Sequence, residues 1–269
     1  MKAMFYDSCC TKVVLIFMNK IKIEACCMSA TDVFAAKRAG ADRCELNSGL
    51  FFGGLTPSIG ELISCVDAGI PIITMIRPRP GGFVYSNIEK KAMLHDVREL
   101  TKAGASGIVF GCLNDNGSID IEFTKHMINA ANGAECVFHR AFDLIKYNWR
   151  EALDVLCDLG VTRILTSGHR STLALGAERI REIIDYAAGR IEILVCGGIR
   201  ANNVNDLIAA TGCTQIHTSG GMRTHLDKSV LLNDEIRFTE SIPPMQGEYR
   251  MLDEISLTNI VKAVNCKDV

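Results

Sequence analysis

Three carboxylate or imidazole side chains lie in short apolar segments of this sequence and could exchange protons near neutral pH. They are Glu24, Glu45 and His139. Carboxylates and imidazoles act as general acids and bases when a fold holds them beside a shared substrate. We therefore take these three residues as candidate acid–base catalytic residues. A structural role, in which the glutamates form an ion-pair layer with Arg77, stays open as the alternative.

A second group of residues suits the recognition of an anion. Arg77 and Arg79 flank a proline, and guanidinium groups bind carboxylates and phosphates well. Glycine pairs at 197–198 and 220–221 let backbone amides approach a ligand closely. A solvated basic loop is the alternative for the arginines. The candidate anion-binding residues are Arg77, Arg79, Gly197, Gly198, Ser219 and Gly220.

The sequence contains 12 cysteines, none of them in a CxxC motif. Their scatter predicts reduced thiols, as in the cytoplasm, rather than a disulfide framework. Most are expected to fill the core as small apolar residues. Cys26, Cys196 and His217 lie near the ends of apolar segments and are the candidate ligands of a soft metal ion.

A repeated unit predicts the elements that position these side chains. Short apolar, β-branched segments alternate with amphipathic helical segments, and Gly-containing turns precede most of them. Continuous apolar strands between helices indicate a parallel sheet covered by helices. Eight such units predict a single (β/α)8 TIM barrel. An open doubly wound sheet is the alternative, but no dinucleotide fingerprint follows the first strand. The predicted strands cover 21–27, 43–46, 72–75, 108–110, 136–139, 164–166, 191–195 and 215–217.

Alternation along these strands predicts which side chains point into the barrel. The lower half of the interior is expected to be mostly aliphatic. Active sites of such barrels lie at the carboxyl ends of the strands. The side chains expected to gather there are those of Glu24, Cys26, Glu45, Asn47, Arg77, His139, His217 and Ser219.

Residues 1–20 are predicted to be an N-terminal extension outside the core, and Met18 is an alternative start. Residues 21–269 are predicted to form the barrel domain, with the barrel proper at 21–221 and a last helix at 254–264. The formal net charge of −2 predicts neither nucleic acid nor a membrane as a partner. No apolar run is long enough to span a bilayer.

Together these residues resemble the CutC family of copper homeostasis proteins, from about residue 21 to residue 221. The resemblance implies a cytoplasmic, usually oligomeric TIM barrel that binds copper. Some members have a second cysteine after the Glu-Leu of the second strand, a position that Asn47 occupies here. The motifs that carry the resemblance are Ile23-Glu24-Ala25-Cys26, residues 40–46, 53–58 and 75–79, Val109-Phe110-Gly111, residues 138–143 and Leu165-Thr166-Ser167-Gly168.

Two functions follow from the sequence. The resemblance favours a copper-binding protein of copper homeostasis. The charged mouth with its arginines favours an enzyme that acts on a small anionic or phosphorylated metabolite by acid–base chemistry. The expected partners are accordingly a copper ion or a small anion, together with further copies of the chain in a dimer or tetramer.

Overall fold

Eight parallel strands close into a barrel, and each strand leads to a helix that packs outside it. The computed structural model describes residues 20–145, 148–232 and 247–265. This architecture confirms the predicted (β/α)8 fold. The strands are β1 (Lys22–Cys27), β2 (Arg43–Leu46), β3 (Ile72–Met75), β4 (Gly107–Phe110), β5 (Glu135–Phe138), β6 (Arg163–Thr166), β7 (Glu192–Cys196) and β8 (Gln215–Thr218).

Polar caps determine where several of the outer helices begin. Ser58 accepts a hydrogen bond from the amide of Glu61, and Ser86 forms a reciprocal capping box with Glu89. Such caps satisfy amides that have no partner inside the helix. The helices are α1 (Ala30–Ala39), α2 (Ile59–Val66), α3 (Asn87–Lys102), α4 (Ile121–Ala130), α5 (Trp149–Asp158), α6 (Leu173–Ala187), α7 (Val204–Thr211) and α8 (Glu254–Asn265).

An antiparallel hairpin separates β8 from α8, and no sequence pattern predicted it. It pairs β9 (Met222–Leu226) with β10 (Glu248–Leu252). Three short 3-10 helices complete the described structure, at Leu50–Phe52, Arg140–Leu144 and Lys228–Leu231. The predicted extension, with the alternative start at Met18, lies outside the described residues except for Lys20. No helix in the described ranges combines the length and apolar character needed to cross a bilayer.

The hydrophobic core has two parts, as strand alternation predicts. Ile23, Ala25 and Cys27 of β1 pack outward against the helices. A smaller cluster fills the inside of the barrel. The inward-facing side chains above it therefore belong to the opening at the carboxyl ends of the strands. The inner cluster consists of Ile73, Met75, Val109, Val137, Leu165, Leu194 and Cys196.

The inner cluster agrees with the expectation of a mostly aliphatic interior, but the amino end of the barrel holds a charged group that was not predicted from the sequence. Arg163 is only 2% exposed and pairs with Glu135 at 3.0 Å and with Glu192 at 2.7 Å. The three residues begin adjacent strands, so their side chains meet at the amino end of the barrel. The arginine loses its solvation there, and the two carboxylates compensate for that loss.

Candidate functional site

A cavity of about 330 Å³ opens at the carboxyl ends of the strands. Its wall combines apolar, acidic, basic and thiol side chains. Of the predicted site residues, it includes Cys26, Glu45, Arg77, His139, Cys196, Gly197, Gly198, His217 and Ser219.

Cys26, Glu45 and His217 form the densest group of titratable side chains in this wall. One ligand atom from each lies within 4.8 Å of the other two. Strand register explains the grouping, since Cys26 lies beside Glu45 in the β1–β2 pairing. His217 of β8 lies on the other side of β1, next to Glu24. Closure of the barrel thus brings together residues that are up to 191 positions apart (217 minus 26).

Glu24 lies below this group and is 1% exposed. One carboxylate oxygen accepts a hydrogen bond from Arg43, and the other lies 2.7 Å from Nδ1 of His217. Burial alone would raise the pKa of Glu24, but the hydrogen bond and charge of His217, together with Arg43, lower it to about 2. The expectation that Glu24 and Glu45 pair with Arg77 is wrong, because Arg43 of the adjacent strand is closer in register.

His217 is held by acidic neighbours. Burial favours its neutral form, but the charge of Glu45 and the hydrogen bonds to Cys26 and Glu24 raise its pKa well above the usual value. Burial raises the pKa of the Cys26 thiol. Burial also raises the pKa of Glu45, against the charge of His217. The group therefore holds several protons that can be exchanged or displaced.

The same three residues could hold a metal ion. A thiol, an imidazole and a carboxylate form a donor set that first-row ions such as copper accept. Because Glu24 bonds to Nδ1 of His217, Nε2 of this histidine is left for the metal. Metal-ligating histidines usually bond to a carboxylate through their second ring nitrogen in this way. Asn47 donates hydrogen bonds to Glu45 at 2.8 Å and to Cys26 at 3.6 Å. Cys196 lines the cavity but is not one of the three grouped ligands.

His139 occupies another part of the cavity wall and is 4% exposed. Burial and the nearby charge of Arg77 lower its pKa to about 3. Its Nδ1 accepts the amide hydrogen of Ala141 at 3.1 Å, so the proton of the neutral ring is on Nε2. That His139 exchanges protons stays a prediction, and this environment favours the role of a neutral hydrogen-bond donor.

Arg79 and Gly220, two of the predicted anion-binding residues, are not part of the cavity wall. Arg79 forms an ion pair with Glu89 at the start of α3 and lies over the ring of Tyr85. The amide of Gly220 donates to Thr218 Oγ1 at 3.0 Å. A Cβ on Gly220 would lie 2.8 Å from Cβ of Leu257 in α8. Arg79 therefore connects the loop after β3 to the start of α3, and Gly220 allows the turn after β8 to pack closely against α8.

Sequence reasoning missed two arginines of the cavity wall, Arg140 and Arg200. Arg140 lies in the 3-10 helix after β5, where strand alternation no longer applies. Its guanidinium donates to Asp143 at 2.8 Å and to Ser167 at 2.7 Å. The i,i+3 spacing of Arg140 and Asp143 was the available sequence signal. No comparable signal marks Arg200, which lies in the turn between β7 and α7.

Gly111, directly after β4, leaves room for the ring of His139. A Cβ at this position would lie 2.4 Å from two atoms of that ring and 2.7 Å from Cβ of Ala141. We expect Gly111→Ala to lower the free energy of unfolding by about 1–3 kcal/mol, as overpacking does. Urea denaturation measures the change. Gly82→Ala is the control, because a Cβ there meets no atom within 4 Å; an equal loss in both variants would contradict the prediction.

Fold and site together define a class: TIM-barrel proteins with a polar cavity at the carboxyl ends of the strands and a Cys–Glu–His group in its wall. The chain belongs to the CutC family, whose family model matches residues 21–222.

Individual relatives agree with this assignment. A CutC family protein of Treponema denticola is 39% identical over 248 residues, covering 92% of this chain and all of the relative. One from Bacteroides fragilis is 40% identical over 204 residues, covering 75% of this chain and 81% of the relative. The crystal structure of CutC from Streptococcus agalactiae, a protein named for copper homeostasis, superposes with a TM-score of 0.71 at 35% identity. The superposition covers 74% of this chain and 98% of that one.

Proposed function

We propose that this protein binds a copper ion at Cys26, Glu45 and His217 and acts in copper homeostasis in the cytoplasm. The observation that carries the proposal is the convergence of one thiol, one carboxylate and one imidazole within 4.8 Å at the wall of an open cavity. The name of the Streptococcus agalactiae relative supports copper as the metal. Thiolate and imidazole ligands suit copper better than they suit hard ions such as magnesium.

The position of the ligand group supports this proposal. Cys26 and His217 lie in the wall of the same cavity, so an ion can reach both without unfolding the barrel. Two carboxylates, Glu24 and Glu45, offset the positive charge that the ion brings. Binding displaces protons from the thiol and from Nε2 of His217.

Cys26→Ser is expected to abolish stoichiometric copper(I) binding, because a hydroxyl replaces the only thiol of the ligand group. Anaerobic titration against a competing chelator measures the affinity. Cys112→Ser is the matched control, since Cys112 is also buried but is absent from the cavity wall; it should keep wild-type affinity. Unchanged affinity in Cys26→Ser would remove the proposal.

A second candidate function is an enzyme that acts on a small anionic metabolite. It is favoured by the arginines of the cavity wall, Arg77, Arg140 and Arg200, which repel a bare cation and attract an anion. Glu45 and His217 would then exchange protons with the substrate, and Gly197, Gly198 and Ser219 would contact it.

Native mass spectrometry of protein purified without added metal separates the two functions. A mass increase equal to copper supports the first, and an increase equal to an organic anion supports the second. The same spectrum gives the number of chains in the assembly, which we propose to be a dimer or tetramer.

A further inference from the structure

Arg77 is a buried cation that has no anionic partner among the described residues. It is 5% exposed, and its terminal nitrogens donate to the carbonyls of Phe52, Gly54 and Gly81 at 2.7–2.8 Å. Within residues 20–145, 148–232 and 247–265, none of the ion pairs includes it. Neutral carbonyls accept hydrogen bonds from its terminal nitrogens but leave its charge uncompensated, which is costly in a buried site.

Arg77 also has an unused donor. Its Nε is buried and has no hydrogen-bond partner in the described structure. Buried donors are almost always satisfied by protein, water or ligand. Because Arg77 forms part of the cavity wall, a shift of its side chain toward the cavity would let an occupant supply the missing acceptor.

His139 provides a second donor of the same kind. Its Nδ1 is occupied by the Ala141 amide, so Nε2 carries the hydrogen. Nε2 is buried and, among the described residues, likewise has no partner. Both residues contact Phe83: the guanidinium carbon of Arg77 lies 5.3 Å from the centre of its ring, and the centre of the His139 ring lies 4.6 Å from it. Both residues also line the same cavity, and the charge of Arg77 lowers the pKa of His139.

We propose that Arg77 and His139 form an oxyanion-binding subsite for a small molecule that carries a carboxylate or phosphate group. The anion compensates the charge of Arg77 and accepts hydrogen bonds from Arg77 Nε and His139 Nε2. The subsite shares its cavity with Cys26, Glu45 and His217, so the rest of the molecule extends toward that group. This assignment does not depend on copper, and it identifies the class of ligand that a cavity of about 330 Å³ accommodates.

Metal-free protein in the presence of a chelator provides the test. Inorganic phosphate and acetate are titrated separately by calorimetry at constant ionic strength, with chloride as the reference anion. We expect saturable binding of at least one oxyanion, and its identity tells a phosphate site from a carboxylate site. Arg77→Met and His139→Phe are each expected to weaken that binding roughly tenfold or more, as loss of a charged or buried hydrogen bond does.

Arg79→Met is the matched control, because Arg79 lies two residues from Arg77 but outside the cavity wall. It should bind like the wild type. His139→Phe keeps a ring beside Phe83 and preserves the test if Arg77→Met fails to fold. Two results would overturn the assignment: wild-type protein that binds neither oxyanion, or variants at both positions that bind as tightly as the wild type. Copper titration of the same variants, without the chelator, shows separately whether the proposed metal site binds copper.

Discussion

Glu24→Gln is expected to lower the free energy of unfolding by about 3–5 kcal/mol, which is typical when one partner of a buried ion pair is removed. Glu24 is 1% exposed and bonds to both Arg43 and His217. Glutamine has nearly the same shape but no charge, so the buried guanidinium of Arg43 loses its counterion. Urea denaturation at neutral pH measures the difference from the wild type.

A surface pair provides the control for this variant. Glu254 also binds an arginine, Arg38, but the two side chains are 39% and 59% exposed. Exposed pairs of this kind contribute about 0–1 kcal/mol, so Glu254→Gln should be close to the wild type. Equal losses of unfolding free energy in the two variants would contradict the prediction that the buried Glu24 contributes more to stability than the exposed Glu254.

The pKa of Glu24 gives the same prediction a pH dependence. Its folded pKa of about 2 lies below the ordinary value of 4.5, so the folded state binds this proton less readily than the unfolded chain. The stabilisation is therefore complete above about pH 4.5 and is lost as the pH falls toward 2. Glu24→Gln should lack this part of the acid transition.

Acidification between pH 6.5 and about pH 4.5 is expected to destabilise the protein through His139. Its folded pKa is about 3, against an ordinary value of 6.5. In this range the unfolded chain binds the proton and the folded protein does not, so stability rises with pH. The slope is about 1.4 kcal/mol for each pH unit. Urea denaturation at a series of pH values measures it.

His139→Phe should flatten this slope, because the variant has no imidazole to protonate. His217 contributes little at the acid end of this range: its pKa in the folded protein lies well above the usual value, so well below pH 6.5 it is protonated in both states. Replacing the exposed His126 of α4 is the control, since this residue lacks the burial on which the prediction depends. A wild-type slope in His139→Phe would contradict the assignment of the slope to His139.

The metal site and the oxyanion subsite that we propose make different demands on one cavity. The ligand group at Cys26, Glu45 and His217 is backed by carboxylates and attracts positive charge. Arg77, with no carboxylate partner in the described structure, attracts negative charge. A bound molecule with one positively and one negatively charged group would suit both the ligand group and Arg77. A bare copper ion would leave the charge of Arg77 uncompensated.

Much of this architecture was readable from the sequence, because its determinants are local. Apolar segments of strand length, alternating with capped helical segments, predict the barrel without any long-range information. The two-residue period of each strand then assigns Glu24, Cys26, Glu45 and His217 to the inside. The hairpin of β9 and β10 had no comparable signal, since its two strands are separated by 21 residues (226 to 248).

In contrast, the tertiary structure decided which charged side chains pair with one another. Sequence reasoning paired Glu24 with Arg77, but strand register puts Arg43 next to it. It treated Arg77 and Arg79 alike, but the path of their loop brings one into the cavity wall and the other to Glu89. Ion pairs and hydrogen bonds depend on separations of a few ångströms between residues distant in the chain. Those separations are set by barrel closure, strand register and loop path, none of which a local pattern encodes.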